Sequence, residues 1–338
     1  MTGSNHIGRR SFLTIIAGVG AAGLGQKSAV FGAAQQPPIT TPNAPFSRAF
    51  DFAALKDWIT SNGEFFVRSH FGVPNIDPSR WTLSVSEAGG TPRVFSIETL
   101  MKLPTVEQVV TLECAGNLVG WGGVSNATWT GCRLSSILNA NQTKTGEVEC
   151  VLIGADGGVD REASGLQFEA YARSIPMNKA LHPDTLLAYR MNGEPLPAEH
   201  GGPLRAIVPG YYGMDSVKWL KGIQVVRRPF TGFYQASRYY EAQRVNGVIE
   251  RRQLGAVRLK SQIARPIRGE VLARGPIRVV GAAWCGDAQI AAVELSFDSG
   301  HSWTPATLGS HALGKSDRSQ TYLIAVRFSA ATGYTTIS

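Results

Sequence analysis

The sequence predicts an α+β fold, a mixed α/β domain followed by a β-sandwich, and three observations predict it. From Trp81 to about Val226, short β-branched runs such as Trp81 to Val85 and Gln108 to Leu112 alternate with short helical patches and Gly- and Pro-rich turns. Beyond Ala256 the texture changes to apolar–polar alternation, in Pro276 to Trp284 and in Ala291 to Phe297, followed by a turn at Asp298 to Gly300 and by Trp303. A chain of 338 residues with 43% hydrophobic and 17% charged side chains can bury a real core and is long enough for two domains.

Residues 1–34 read as a twin-arginine export signal. Arg9 and Arg10 precede the one strongly apolar stretch, Phe12 to Leu24, which leads to the small-residue site Gly32 to Ala34. That stretch is too short for a permanent membrane anchor, and a core helix would rarely carry so many glycines. Because such signals move folded proteins, the mature chain is expected to start near Gln35, to work in the periplasm or otherwise outside the cytoplasm, and to take up any cofactor before export. Residues 35–48 form a linker, Pro-rich from Gln36 to Pro45, and Asp51 to Ser61 is expected to be a short helix with Phe52, Leu55 and Ile59 on one face. The first domain then spans 49–245 and the second 246–338, with the boundary between Asn246 and Ala256.

Charge and cysteine usage exclude several classes. The formal charge of +8 includes Arg9, Arg10 and Lys27 of the signal, and the remainder carries 30 basic against 25 acidic side chains. This mildly basic surface suits an anionic cofactor or substrate, but its Lys and Arg are dispersed and no nucleic-acid motif accompanies them. Cys114, Cys132, Cys150 and Cys285 form no CxxC or CxxCH, which argues against a disulfide framework, a zinc ribbon and attached haem in this chain. The absence of a glycine-rich dinucleotide fingerprint after a strand, and of a phosphate-binding Walker loop, disfavours nicotinamide and P-loop chemistry.

Cys114 stands apart from the other three. Thr111 to Asn117 places it at the end of an expected strand, before Gly-containing turn residues that would leave its sulfur facing a cleft as a metal ligand or nucleophile. A cysteine in an apolar strand is more often packing, so the surrounding motifs decide. Glu113 to Asn117 followed by Asn126 to Gly131 resembles the metal-binding segment of the sulfite oxidase family. Further motifs match in order: Phe65 to His70 with Pro74, Ser174 to Pro176, Leu186 to Tyr189, Met191 to Gly193, His200 to Arg205, Val208 to Gly210 and Ser216 to Trp219. The likeness covers roughly residues 47–308 and identifies the chain as a member of that family.

The resemblance implies a molybdopterin-binding domain, a Mo-molybdopterin cofactor ligated by the Cys114 thiolate, and an immunoglobulin-like dimerisation domain carried by Val280 to Trp284, Val293 to Asp298 and Gly300 to Trp303. It assigns cofactor contacts to His70, His200, Arg205, Ser216, Val217 and Lys218, cationic and backbone donors of the kind that a large anion needs. Asp156 matches an acid at the pterin, with Asp160 as its rival. Arg68 matches the cation beside the reacting group, where an anionic substrate redistributes its charge. Tyr239 matches the family's active-site tyrosine, with Tyr240 as its neighbour and rival. After about Leu308 the likeness fades, Ser316 to Ser338 lacks the expected final strand pattern, and an incomplete sandwich with an unpaired sheet edge is expected.

The implied reaction is oxygen-atom transfer to sulfite or a related sulfur compound, with electrons passed to a separate periplasmic cytochrome c. Val119 stands where animal sulfite oxidases place a second substrate-binding arginine, and with Trp121 nearby it suits a larger or less charged sulfur compound. Two other readings remain, a molybdenum reductase of sulfoxides or other oxidised substrates and a non-catalytic cofactor-binding or interaction protein. The C-terminal domain argues against the first, and the retained Arg68 and Tyr239 argue against the second.

Overall fold

Residues 46–87, 90–118, 120–138, 149–159, 168–273, 275–286, 290–307 and 320–329 are described by the computed structural model of the chain. All belong to the second of two units, Met1–Gln36 and Pro37–Ser338. The export signal, the linker as far as Pro45, Val119 and Asp160 lie outside the described residues.

The apolar runs pair into two five-stranded sheets. One orders Glu194–Pro195, Leu186–Met191, Val124–Arg133 and Thr105–Glu113, with Arg205–Ile207 also pairing to Leu186–Met191, all antiparallel. The other orders Arg93–Ser96, Thr82–Glu87, Leu220–Val226, Glu149–Val159 and Phe168–Pro176, and its pairing of Thr82–Glu87 with Leu220–Val226 is parallel. Val124–Arg133 and Glu149–Val159 are buried along nearly their whole length, so neither shows the period-two alternation of a half-exposed strand. The expected strands at Trp81 and Gln108 are present as Thr82–Glu87 and Thr105–Glu113.

Helix is scarce. Among the described residues, α-helix is confined to Ile97–Met101 and Met177–Ala180, alongside single 3-10 turns and one π-turn at Tyr234–Arg238. The helix expected over Asp51 to Ser61 is only a 3-10 turn at Phe52–Ala54. Its backbone bonds elsewhere, since Phe50 N–H donates to Gly122 O and Thr60 N–H to Asn126 O, and Phe52 packs on the Trp284 ring at 6.3 Å. Tertiary pairing outweighs a weak amphipathic pattern in so short a segment.

The C-terminal part contains an antiparallel sheet of Lys260–Arg265, Pro276–Cys285 and Gln320–Ser329. The last strand corrects the expectation for Ser316 to Ser338. Its run from Thr321 to Phe328, rich in β-branched and aromatic residues, pairs with all of Pro276–Cys285. The strand expected from Ala291 to Phe297 shrinks to Glu294–Leu295, paired with Thr304–Pro305. Between the two parts, Tyr240–Val245 and Val248–Gln253 form a hairpin whose second strand is exposed throughout. Phe50, Phe52, Val124, Tyr212 and Met214 pack with Val257, Ala264, Ala282 and Trp284, joining the C-terminal strands to the loops around Cys114.

Gly131 lets two central strands approach. A Cβ there would lie 2.1 Å from the Leu187 carbonyl oxygen, next to a register shift between Thr130 and Gly131. Gly131→Ala is expected to lower stability by about 1–3 kcal/mol. Gly63→Ala, whose Cβ would meet nothing within 4 Å, should stay within about 0.5 kcal/mol. Thermal or denaturant unfolding of the two variants checks the contrast.

Candidate active site

The loops at the ends of these strands enclose an open cleft of about 710 Å³, counting the space at its mouth. Arg68, His70, Cys114, Asp156, His200, Arg205, Ser216, Val217, Lys218 and Tyr239 all line it, which brings together every one of the ten residues named from sequence. Tyr240 does not line it; it opens the exposed hairpin, stacked under Arg251.

Local structure aims each side chain. Cys114 follows the last residue of Thr105–Glu113 and is fixed at both ends of a tight turn, its N–H donating 2.8 Å to Gly123 O and its carbonyl accepting 2.9 Å from Asn117 N–H. Asp156 sits in a register shift between Ile153 and Gly157, a bulge that redirects a strand side chain. His200 ends a 3-10 turn stopped by Gly201 in the left-handed region at φ 105°. Trp219, fully buried at φ 47°, is held there by its N–H on Gly201 O and its indole N–H on Ala198 O at 2.7 Å. This strained backbone presents Lys218, whose ammonium lies 4.3 Å over the Trp219 ring. Tyr239 follows the π-turn, and its hydroxyl is 2.6 Å from His70 Nε2.

The electrostatics call for an anion. Burial holds Arg205 down to about 9, although its two terminal nitrogens donate to the carbonyls of His200 and Ser216 at 2.7 and 2.8 Å. Burial, reinforced by Arg205, holds Lys218 down to about 7, while burial pushes Asp156 up to about 6 against the pull of Lys218. Burial also lowers His200 to about 4, so it is neutral and donates Nε2–H to Asn62 O at 2.7 Å, leaving Nδ1 to accept. Asp156 Oδ1 and Arg205 Nε are buried without hydrogen-bond partners. Buried cations only partly balanced by Asp156, together with unsatisfied polar atoms facing one cleft, fit a large, polar, anionic group. No three His, Cys, Asp or Glu gather as a metal cage among the described residues, so a metal on Cys114 would draw its other ligands from that group.

Comparison with known proteins agrees with this donor set. Residues 70–234 match the oxidoreductase molybdopterin binding domain. Human mitochondrial sulfite oxidase is 34% identical over 280 residues, covering 75% of this chain and 50% of the relative. The chain belongs to the sulfite oxidase family. Chicken sulfite oxidase is 32% identical over 278 residues, covering 74% of this chain and 59% of the relative, and the NADPH nitrate reductase of Aspergillus niger is 30% identical over 306 residues, covering 78% and 34%. The chain spans about half the length of the human and macaque sulfite oxidases it matches. The crystal structure of the sulfane dehydrogenase SoxCD from Paracoccus pantotrophus superposes with a TM-score of 0.70 at 25% identity, covering 92% of this chain and 82% of that one. The family's cofactor, Mo-molybdopterin, is the kind of anionic group that the cleft fits.

Several residues of the site carried no sequence signal of their own. Behind the sulfite oxidase motifs lies a buried ion pair, Arg173 Nε to Asp215 Oδ1 at 2.8 Å, with both side chains 1% exposed. Arg173 also donates to the carbonyls of Tyr234 and Leu254 and lies 5.4 Å from the Tyr239 ring centre. Tyr171 lies nearly parallel to the His70 ring and donates to Met214 O. Glu113, quoted in the cysteine motif without a role, is wholly buried.

Lys218 gives a pH test. Its pKa in the folded, cofactor-free protein lies below the ordinary lysine value, so this group contributes stability at high pH that is lost as pH falls through about 7. At pH 8 it is mostly neutral, and an anion beside it raises its pKa. Cofactor binding at pH 8 is therefore expected to protonate Lys218 while the Cys114 thiol gives up its proton, and Lys218→Met should release about one proton more on binding than the unsubstituted protein. Calorimetric titration of cofactor-free protein with released cofactor, in buffers of different ionisation enthalpy, measures it.

Proposed function

We propose that this chain is an exported molybdenum enzyme that oxidises sulfite or a related sulfur compound and passes the electrons to a separate periplasmic cytochrome c. One observation carries the reading. Cys114, Arg68 and Tyr239 lie near enough for their charges to act on one another, in the cleft that also holds Arg205 and Lys218. When bound, Mo-molybdopterin supplies a two-electron metal centre capable of oxygen-atom transfer.

The chain's own residues take distinct parts. Burial pushes the Cys114 thiol up, so it holds its proton in the cofactor-free protein, and as the thiolate it would be the protein's ligand to the metal. Arg68 stays exposed at the cleft, where its guanidinium can draw in an oxyanion and stabilise charge as it shifts. Burial pushes Tyr239 well up, so the phenol remains protonated. In the tautomer in which His70 Nε2–H donates to its oxygen, Tyr239 would keep its own proton for substrate. Arg205, Lys218 and the open acceptor of His200 would hold the anionic cofactor, with Asp156 taking a donor at its unpaired oxygen.

Sulfite is favoured because Arg68 offers a cation suited to a small oxyanion and because the sulfite oxidases share 34% identity. A sulfur atom carried on a larger molecule is the variant supported by exposed Leu118 beside the Cys114 turn and by the structural likeness to a sulfane dehydrogenase. Reduction of an oxidised substrate is a second reading, favoured by the 30% identity to a nitrate reductase. Export rests on Arg9 and Arg10, and homodimer formation on the family resemblance of the C-terminal strands.

Metal analysis of protein matured in a cofactor-making host, followed by cytochrome c reduction with sulfite and thiosulfate, tests the reading. Molybdenum near one atom per chain and sulfite-dependent reduction are expected, whereas turnover with sulfoxide or nitrate alone would favour the reductase. Cys114→Ser is expected to abolish turnover while the unfolding temperature holds, and full sulfite activity in that variant would sink the assignment. Arg68→Met should lower kcat/KM for sulfite by about 100-fold, measured by steady-state kinetics.

A further inference from the structure

Glu113 sits immediately before the cysteine, and its side chain is 0% exposed. A carboxylate so deeply buried is costly unless donors surround it. Two of its three donors come from the C-terminal strands. Lys260 Nζ lies 2.7 Å from Oε1 and Trp284 Nε1 lies 3.0 Å from Oε2, while Asn117 Nδ2 donates to Oε1 at 2.9 Å. Lys260 and Trp284 face each other across the antiparallel pair Lys260–Arg265 and Pro276–Cys285, so they arrive as one cross-strand unit.

The same sheet grips the rest of the turn. Lys260 Nζ also donates to Asn117 O at 3.2 Å, which ties the residue before Cys114 to the residue three after it. Asn117 closes the loop further, its side-chain oxygen accepting from Gly123 N–H at 2.9 Å. Gln262, on the strand of Lys260, accepts from Gly120 N–H at 3.4 Å. Trp284 is clamped in turn against Phe52 and the cluster around Tyr212 and Met214. Nearly every restraint on the Cys114 turn outside its own strand therefore leads into the C-terminal sheet or into residues packed on it.

We propose that Lys260 and Trp284 are positioning residues of the metal site, acting through Glu113 to fix the Cys114 turn, so that the C-terminal β-unit is a working part of the active site. The inference rests on the reading that Cys114 is the metal ligand. A single protein ligand has no companion to correct its aim, so the sulfur is only as well placed as its turn. Lys260 also balances the charge of Glu113, which otherwise stands beside an anionic sulfur in a buried setting.

The test compares Lys260→Met, Lys260→Arg and Trp284→Phe with Arg265→Met, a change on the same strand at a cation whose partners are Glu270 and Ala53 O. Hydrogen exchange of residues 112–123 is measured with and without cofactor, together with molybdenum content and the sulfur-to-metal absorption band of the loaded protein. Lys260→Met should speed exchange of this segment by about 10-fold, leave the other strands unchanged, shift the band and lower kcat/KM by about 10- to 100-fold. Lys260→Arg should restore most of each, Trp284→Phe should give the same pattern more weakly, and Arg265→Met should change none. Uniform loosening of the whole protein, an unmoved band, or equal effects from Arg265→Met would overturn the proposal. If Lys260→Met does not fold, Trp284→Phe decides. If the wild-type protein carries no molybdenum, the enzymatic reading fails, and exchange in the cofactor-free protein still judges the positioning role.

Discussion

Positive charge held in a poorly solvated cleft is the constraint on which the rest of this structure depends. Arg205 and Lys218 both lose hydration on folding, and burial depresses both pKa values. The fold offsets part of that cost internally, by turning the carbonyls of His200 and Ser216 toward Arg205 and by bringing Asp156 into the same wall. What remains unpaired is the part that a bound anion satisfies. The backbone at Trp219 and Gly201 makes sense in this light, because both adopt left-handed conformations in order to set Lys218 against the cleft.

A second layer of charge stands behind the first with the opposite design. Arg173 and Asp215 Oδ1 pair directly and Arg173 donates to two carbonyls besides, while Asp215 Oδ2 is buried without a hydrogen bond. Even so, burial pushes Asp215 up to about 6, which means the pair is costly to keep charged in the core. Such a pair contributes little net stability, but it fixes geometry, since breaking either half leaves a buried charge alone. Tyr239 rests against this rigid pair on one side and hydrogen-bonds His70 on the other.

Legibility in the sequence followed the range of the interactions. Strands with strong β-branched runs, such as Thr105–Glu113, were readable because their signal is local. The helix expected at Asp51 to Ser61 was not formed, because Phe52 and Thr60 answer to Trp284 and Asn126, far along the chain. The final strand, Gln320–Ser329, departs from the family pattern, and its signal lies in its own β-branched and aromatic content. The ten cleft residues were legible because each lies in a short motif whose order along the chain resembles a known family. Arg173, Asp215 and Lys260 carry meaning only as partners, Arg173 to Asp215 across 42 residues and Lys260 to Glu113 across 147, and spacing of that kind leaves no mark in a single sequence.

These ranges also explain why a mostly β protein suits a site of this kind. A sheet fixes its strands through backbone bonds and leaves the loops at their ends free to carry unusual backbone, buried charge and a reactive thiol. Cys114, Asp156, His200 and Lys218 all sit at a strand end, a bulge or a tight turn, where a strand's alternation would not have aimed them at the cleft. Loops of that kind need outside support, and here it comes from side chains with no place in the cleft lining. Trp284 and Lys260 brace the cysteine turn and Arg173 braces the tyrosine, so the precision of the cleft is set by residues one layer away from it.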